Sequence, residues 1–319
     1  IAYIPRYTYE LITVLFFITL VLVFHTNTLD VSGIIPVLAV FVVGIIRLLP
    51  FLTNISSSTS RIRNSINSID RLYNIVHDLD SYKNKIKKDT SKIQLNKIEF
   101  HNVFYKYENS EHYVLENINL KINKGDKIYL KGLSGSGKTT FIDILIGLIH
   151  PSKGQIILND TKRLRDNMID DYQQNFFYSP QEVYLLNETV ALNVSLSNML
   201  NDNSLKNIRN SLIKSEIYDH VKKLENDINS KLSDGGKNLS GGQKQRINIS
   251  RLFYFNKDIL ILDEATSAMD KELESRIIKN ILNDFKHKTV IIISHRTEIG
   301  NLCDRKFLVT NKEIKEEFN

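Results

Sequence analysis

Three short stretches of this chain combine residue types that handle phosphate. The first is Gly132-Leu133-Ser134-Gly135-Ser136-Gly137-Lys138-Thr139-Thr140, which fits the spacing G-x-x-x-x-G-K-[ST]. Its glycines let backbone N–H groups turn into a tight loop around phosphate oxygens, and a helix starting there adds its positive dipole end. Lys138 then reaches the β- and γ-phosphates, and the Thr139 hydroxyl is placed to ligate Mg²⁺. The second stretch is Asp263-Glu264, closing the apolar run Ile259-Leu260-Ile261-Leu262. A carboxylate at the end of a parallel strand beside the phosphate loop is where Mg²⁺ needs a partner, and Asp263 takes that role. Glu264 is the group that polarises an attacking water, the general-base role in hydrolysis. The third is Leu239-Ser240-Gly241-Gly242-Gln243-Lys244-Gln245-Arg246. A Ser and two glycines at a helix start form another anion-binding nest. One chain cannot easily wrap two nests around one γ-phosphate, so the second most naturally serves a nucleotide held by another copy of the domain.

These residues need strands and helices to hold them. From residue 98 the pattern turns to short β-type stretches at 98–104, 118–122 and 128–130. The phosphate loop follows the third stretch directly, and Phe141-Ile142-Asp143-Ile144-Leu145-Ile146 continues it with helical patterning. Strand before and helix after is the context that gives the loop motif its meaning. Residues 259–262 read as a buried strand, and Ile247, Ile249 and Leu252 as one face of the helix opened by the second nest.

With the loop, the strand-end acids and the LSGGQ stretch in this order, the chain resembles the ATP-binding cassette (ABC) transporters. The likeness is to exporter-type half-transporters, whose membrane helices precede the nucleotide domain. LSGGQ is the more specific part, because other phosphate-loop proteins generally lack it. The resemblance implies an α-helical transmembrane hairpin followed by an α/β P-loop NTPase domain with an antiparallel β subdomain and a helical subdomain. It also implies roles for further positions. Tyr107 matches the aromatic that stacks on adenine. Gln181, in Tyr178-Ser179-Pro180-Gln181, matches the glutamine that touches Mg²⁺ and the water and senses the membrane domain. Ser267-Ala268-Met269-Asp270 is similar to the D-loop that crosses the dimer interface, with Met where Leu is usual. His295 matches the switch histidine that holds the γ-phosphate. Asp234, in Ser233-Asp234-Gly235-Gly236, stands where exporters usually carry a Glu near the coupling helices.

The composition divides the chain as sharply as the motifs do. Residues 1–54 carry only Arg6, Glu10, Asp30 and Arg47, so 74 of the 78 charged residues lie in the other 265. Residues 11–24 are apolar except for Thr13 and Thr19, and residues 34–52 form a second apolar run holding Pro36, Gly44, Arg47 and Pro50. Each approaches the roughly 20 residues that span a bilayer as a helix. A signal peptide is the alternative for the first run, but no basic start or small-residue cleavage site frames it. Residues 25–33 contain no Lys or Arg, whereas residues 61–97 hold nine against four acids. The connecting loop is therefore expected outside, with both ends of the hairpin and the nucleotide domain in the cytoplasm. Ile55, Thr59, Ile62, Ile66, Ile69, Tyr73 and Val76 continue as a helical stripe, read as packing on partner helices, with an isolated amphipathic surface helix as the alternative. The domains are expected as 1–80 (membrane helices), 81–96 (linker) and 97–319 (cassette). One cysteine, Cys303, excludes an internal disulfide and suits a reducing compartment.

The resemblance implies two nucleotide domains closing head to tail over two ATP molecules with Mg²⁺. Each ATP lies between one chain's loop (Gly132, Ser134 to Thr140) and the other's Ser240, Gly241, Gly242 and Gln243. Since Glu264, Ser240 and His295 are all present, a homodimer with two competent sites is the simplest arrangement. Nucleic acid is not expected as a partner, because the basic surplus is confined to one segment after an apolar region. The competing readings are a soluble ABC ATPase of the repair or translation kind, an importer subunit and a non-catalytic structural fragment; the hairpin argues against the first two, while two spans alone cannot build a translocation path. Exporters of this type carry six helices per half, so the chain, which starts at Ile1, is expected to be the C-terminal portion. Residues around Pro5-Arg6-Tyr7, Glu10 and Arg47-Leu48-Leu49-Pro50 resemble bacterial flippases of lipid-linked oligosaccharides in the cytoplasmic membrane; drug, lipid and peptide exporters stay open.

Overall fold

In a computed structural model, residues 4–26, 31–85, 93–108, 110–233 and 235–317 are described. The chain divides into two compact units, 1–86 and 87–319.

The first unit is two helices, α1 (Ile4–Thr26) and α2 (Val31–Lys85). Residues 11–24 of α1 and 34–46 of α2 carry no charged side chain, and a helix is the conformation that would satisfy the backbone of such a segment in hydrocarbon; beyond residue 55, α2 turns polar. The rings of Phe16 and Phe41 meet at 6.4 Å between the two helices. Among the described residues, one helical segment, Ala39–His77, is long and apolar enough to cross a membrane, with mean hydropathy 1.9 in its apolar window. Helix α2 holds Pro36 and Pro50, each removing one backbone donor. It also runs to Lys85, five residues into the segment expected as a linker. The stripe from Ile55 to Val76 lies exposed along it; Ile62, Ile69 and Tyr73 each show more than 60% of their surface. Residues 27–30, in the expected outside loop, and 86–92 lie outside the described residues.

The second unit starts with β1 (Lys97–Tyr105), β2 (Leu115–Asn123) and β3 (Lys127–Gly132), followed by α3 (Lys138–Ile146), β4 (Lys153–Leu158) and β5 (Lys162–Arg163). Then come α4 (Ile169–Gln173), β6 (Phe176–Ser179), α5 (Val190–Ser195), α6 (Asp202–Lys214) and α7 (Tyr218–Val221). The chain ends with α8 (Gly241–Phe255), β7 (Ile259–Asp263), α9 (Lys271–Asp284), β8 (Thr289–Ile293), α10 (Thr297–Gly300), β9 (Arg305–Thr310) and β10 (Glu313–Glu317). Strands β2-β1-β4-β5 form an antiparallel sheet. The other sheet runs β10-β9-β3-β8-β7-β6, parallel except for β10.

Side-chain alternation explains how the parallel sheet is covered on both faces. In β7, Ile259 and Ile261 join a core shared with α3 and the antiparallel sheet, including Phe100, Leu130 and Phe141. Leu260 and Leu262 face the other way, into a core with Ile249 and Leu252 of α8 and Ile277 and Ile281 of α9. Strand β8 divides identically, Ile291 and Ile293 on one side and Val290 and Ile292 on the other. A third core, with Leu185, Val190, Ile208, Leu212 and Ile247, belongs to the helical subdomain. Each fully buried aliphatic side chain contributes about 1.5–3 kcal/mol. The unbroken apolar run of β7 is thus the signature of a strand buried twice, and it carries Asp263 to the sheet's C-terminal edge, where β3 also delivers Gly132.

Candidate functional site

The phosphate loop leaves β3 at Gly132, where a Cβ would lie 2.6 Å from the Val309 carbonyl oxygen and 2.7 Å from Ser136 Oγ. Gly137, at φ +101°, caps α3 and accepts the first helical hydrogen bond, from the Phe141 N–H at 2.9 Å. An L side chain there would be strained. The first-turn N–H groups of Lys138, Thr139 and Thr140 have no acceptor within the helix, which makes the helix start an anion seat. Lys138 Nζ folds across the loop and donates to the carbonyls of Gly132 (2.8 Å) and Leu133 (2.9 Å). The Ser136 hydroxyl is buried without a hydrogen-bond partner, and a phosphate oxygen fits that need. Ser134, Gly135 and Thr139 are exposed at the loop surface. Tyr107, just past β1 and half exposed, has its hydroxyl 3.2 Å from Thr140 Oγ1 and its ring edge-on to Tyr105 at 5.1 Å.

Asp263 ends β7 almost buried, and its Oδ2 accepts a hydrogen bond from the Tyr178 hydroxyl at 3.0 Å. Burial raises its pKa and the Glu264 charge adds to this, while the Tyr178 hydrogen bond and the Lys138 ammonium act in the opposite sense. Glu264 follows in the left-handed region, at φ +50°. This turns its side chain out of the sheet between two neighbours. Gln181 Nε2 donates to its Oε2 at 2.8 Å, and His295 Nε2 lies 2.9 Å from its Oε1. Gln181, Glu264 and His295, read from three separate sequence segments, therefore meet as one cluster. Asp263, Thr139 and Gln181 offer only oxygen donors of carboxylate, hydroxyl and amide type, a hard set that suits Mg²⁺ completed by water and phosphate oxygens. Among the described residues no group of three or more His, Cys, Asp or Glu gathers as a metal cage.

The second nest opens α8 with a capping box. Ser240 Oγ accepts from Gln243 N–H at 3.3 Å, and Gln243 Oε1 accepts from Ser240 N–H at 2.8 Å. Gly241 and Gly242 pack on Ala268, and a Cβ on Gly242 would come within 3.0 Å of its carbonyl oxygen. Gln243 Nε2 meets His220 Nδ1 at 3.2 Å. The chain matches the ABC transporter family over residues 115–267. It carries an ABC transporter ATP-binding domain. Over 284 residues it is 31% identical to a probable ABC transporter ATP-binding/permease protein of Haemophilus influenzae, covering 86% of this chain and 49% of that protein. It is 32% identical to an ATP-dependent lipid A-core flippase of Pseudoalteromonas translucida, with 89% and 48% covered. It is 36% identical to the alpha-hemolysin translocation ATP-binding protein HlyB of Escherichia coli O157:H7, with 69% and 31% covered. A bacterial Atm1-family ABC exporter with ATP bound shares the fold at TM-score 0.64 and 22% identity, with 84% and 48% covered. The chain spans about half the length, or less, of these relatives.

The ATP-binding domain also contains supporting residues to which the sequence reading gave no role. Gln245, one turn into α8 and buried, donates to Ser267 Oγ (3.1 Å) and accepts from Ala268 N–H (3.0 Å), tying α8 to the loop after β7. Asn248 donates to Ser179 Oγ at 2.6 Å, joining α8 to the end of β6. Arg251 donates to the carbonyls of Asn193 (2.7 Å) and Tyr184 (3.1 Å), and Asn193 in turn fixes the loop after Gln181. Tyr178 could be found only once β6 was known to pair with β7; in the sequence it is one more strand aromatic. Asp234 lies outside the described residues, while Gly235 N–H next to it donates to Asn187 Oδ1 at 2.5 Å.

Proposed function

We propose that the complete protein is an exporter-type half-transporter that hydrolyses ATP to move a substrate across the cytoplasmic membrane. The observation that carries this reading is Glu264 held between Gln181 at 2.8 Å and His295 at 2.9 Å, one residue beyond the buried Asp263, in a chain that also contains the apolar helix Ala39–His77. Lys138 and the first-turn amides of α3 hold the phosphates, and Tyr107 stacks on the base. Gln181 and His295 fix the Glu264 carboxylate so that it accepts the proton of the attacking water. When bound, Mg²⁺ supplies charge neutralisation for the phosphates, with Asp263, Thr139 and Gln181 as its holders. His295 then bears on the γ-phosphate from the side opposite the loop.

Ser240, Gly241, Gly242 and Gln243 complete the site of a second copy. Their contacts within this chain run to Ala268 and His220, which leaves the helix start as an anion seat for the partner's nucleotide. Because one chain holds both halves of a competent site, two identical copies supply two complete sites, and a homodimer is the proposed assembly. Closure over ATP and opening after hydrolysis move the attached membrane helices between inward- and outward-facing states.

The long apolar helix favours transport over the soluble ATPase reading. The flippase names of several relatives favour a lipid-attached cargo, and we take a lipid-linked oligosaccharide as that cargo. Glu264→Gln tests the chemistry: ATP binding is retained and turnover falls at least about a hundredfold, the scale of losing a positioned general base. Turnover near the wild-type rate would overturn it. The cargo is tested by ATPase stimulation of the complete protein in lipid with lipid-linked sugars; no response across the set would remove that assignment and leave the ATPase reading standing.

A further inference from the structure

Tyr129 is a surprising residue for its place. It sits in β3, three positions before Gly132, between the aliphatic Ile128 and Leu130, and only 2% of its surface is exposed. Its ring faces the α8–α9 side of the sheet, whereas Ile128 and Leu130 face the other core. A phenol buried this deeply needs a partner for its hydroxyl, and the partner is the segment that carries His295. Tyr129 Oη donates to the Ser294 carbonyl at 2.7 Å and lies 3.2 Å from the Arg296 carbonyl. One hydroxyl hydrogen is thus shared between the carbonyls on either side of His295.

The space for this ring comes from Gly300 in α10. A Cβ on Gly300 would lie 2.8 Å from Tyr129 Cδ1 and 3.0 Å from Cε1. Gly300 is not among the glycines with positive φ, so its backbone would accept other residues. The missing side chain answers to the Tyr129 ring. Burial raises the Tyr129 pKa, and the phenol is a donor at neutral pH with or without that shift. The opposite flank of the segment is held as well. Arg296 pairs with the buried carboxylate of Glu274 and donates to the Met269 carbonyl at 3.0 Å, and its own N–H donates to Ser294 Oγ at 3.1 Å.

We propose that Tyr129 is a positioning residue for His295: its hydroxyl fixes the peptide groups that bracket the histidine, so the imidazole is presented to Glu264 and the γ-phosphate in one orientation. The proposal rests on the role given to His295 above. It links the strand that feeds the phosphate loop to the residue that meets the same phosphate from the far side.

The test uses the complete protein in detergent with Tyr129→Phe, which removes one oxygen and keeps the ring, together with His295→Ala and the double variant. Tyr129→Phe is expected to lower kcat for ATP about three- to tenfold, the range set by one buried hydrogen bond, with KM for ATP unchanged. In the His295→Ala background the same substitution is expected to cost nothing further. In protein labelled with ¹³C at histidine Cε1, the signal that disappears in His295→Ala is expected to shift or broaden in Tyr129→Phe. An equal loss in both backgrounds, or an unmoved His295 signal, would overturn the proposal. If His295→Ala itself left turnover untouched, the role of His295 would fall, and the labelled signal would still decide whether Tyr129 positions it.

Discussion

At the scale of single residues, Glu264 carries two demands at once. Its carboxylate must lie between Gln181 and His295, and the turn that puts it there has φ +50°. A side chain in the left-handed region costs about 1–2 kcal/mol. Glu264→Gly is therefore expected to be more stable than Glu264→Ala by about 1 kcal/mol, although neither turns over ATP; thermal unfolding of the two variants side by side measures the difference. The phosphate loop and the LSGGQ stretch were legible in the sequence because their chemistry is local: spacing along the backbone sets the geometry. Tyr178 and Tyr129 were not, because their partners Asp263 and Ser294 lie far off in sequence. Their roles exist only once β6 lies beside β7 and β3 beside β8.

At the scale of elements, the start of α8 and the edge formed by β9 and β10 are each held by a small set of polar contacts. Ser240→Ala removes one half of the capping box and is expected to cost about 1 kcal/mol of domain stability, measured by denaturant unfolding. The other contact set is Arg305 in β9. It grips Glu316 of β10 with two hydrogen bonds at 2.6 and 2.8 Å, and it also reaches Asp126 Oδ2 at 2.6 Å and the Lys121 carbonyl of β2 at 2.8 Å. Arg305 thereby ties the two sheets together. The guanidinium holds the Glu316 carboxyl below its ordinary pKa. A lowered acid pKa in the folded state means the unfolded chain binds the proton more readily. The stabilisation is thus complete above about pH 4.3 and is lost as pH falls through the folded value. Arg305→Gln should accordingly destabilise the domain by about 1–2 kcal/mol near pH 7, with a smaller gap at pH 3. Unfolding followed by circular dichroism at the two pH values checks the sign. The strand β7 was readable from its four apolar residues, and the helix α2 from its period. The extent of α2 was not, since residues 81–85 lack the apolar spacing that marks a helix and take their conformation from the turns before them.

At the scale of the whole molecule, the two units divide at residues 86 and 87, inside the segment 81–96 expected as a linker and some thirty residues beyond the change in charge at residue 54. Among the described residues, the three hydrophobic cores are built from Leu95 onward, with Ile93 packed against the first, so a fragment of residues 87–319 has what it needs to fold on its own. That fragment is expected to stay in solution without detergent and to bind ATP, while the full chain sediments with membranes; centrifugation and nucleotide titration on the two proteins check it. The order of strands has a further consequence, for the birth of the protein. Strand β3, which carries the phosphate loop, lies between β8 and β9, and Gly132 rests against Val309. Both neighbours lie more than 150 residues further along the chain. As the polypeptide leaves the ribosome, the loop emerges well before β8 and β9 and has no walls until they follow. A ribosome-bound nascent chain stopped before β8 is therefore unable to hold nucleotide, and the apolar strand β3 waits through the whole of the helical subdomain's synthesis for its neighbours, a long-range pairing of the kind that folds slowly and needs protection meanwhile.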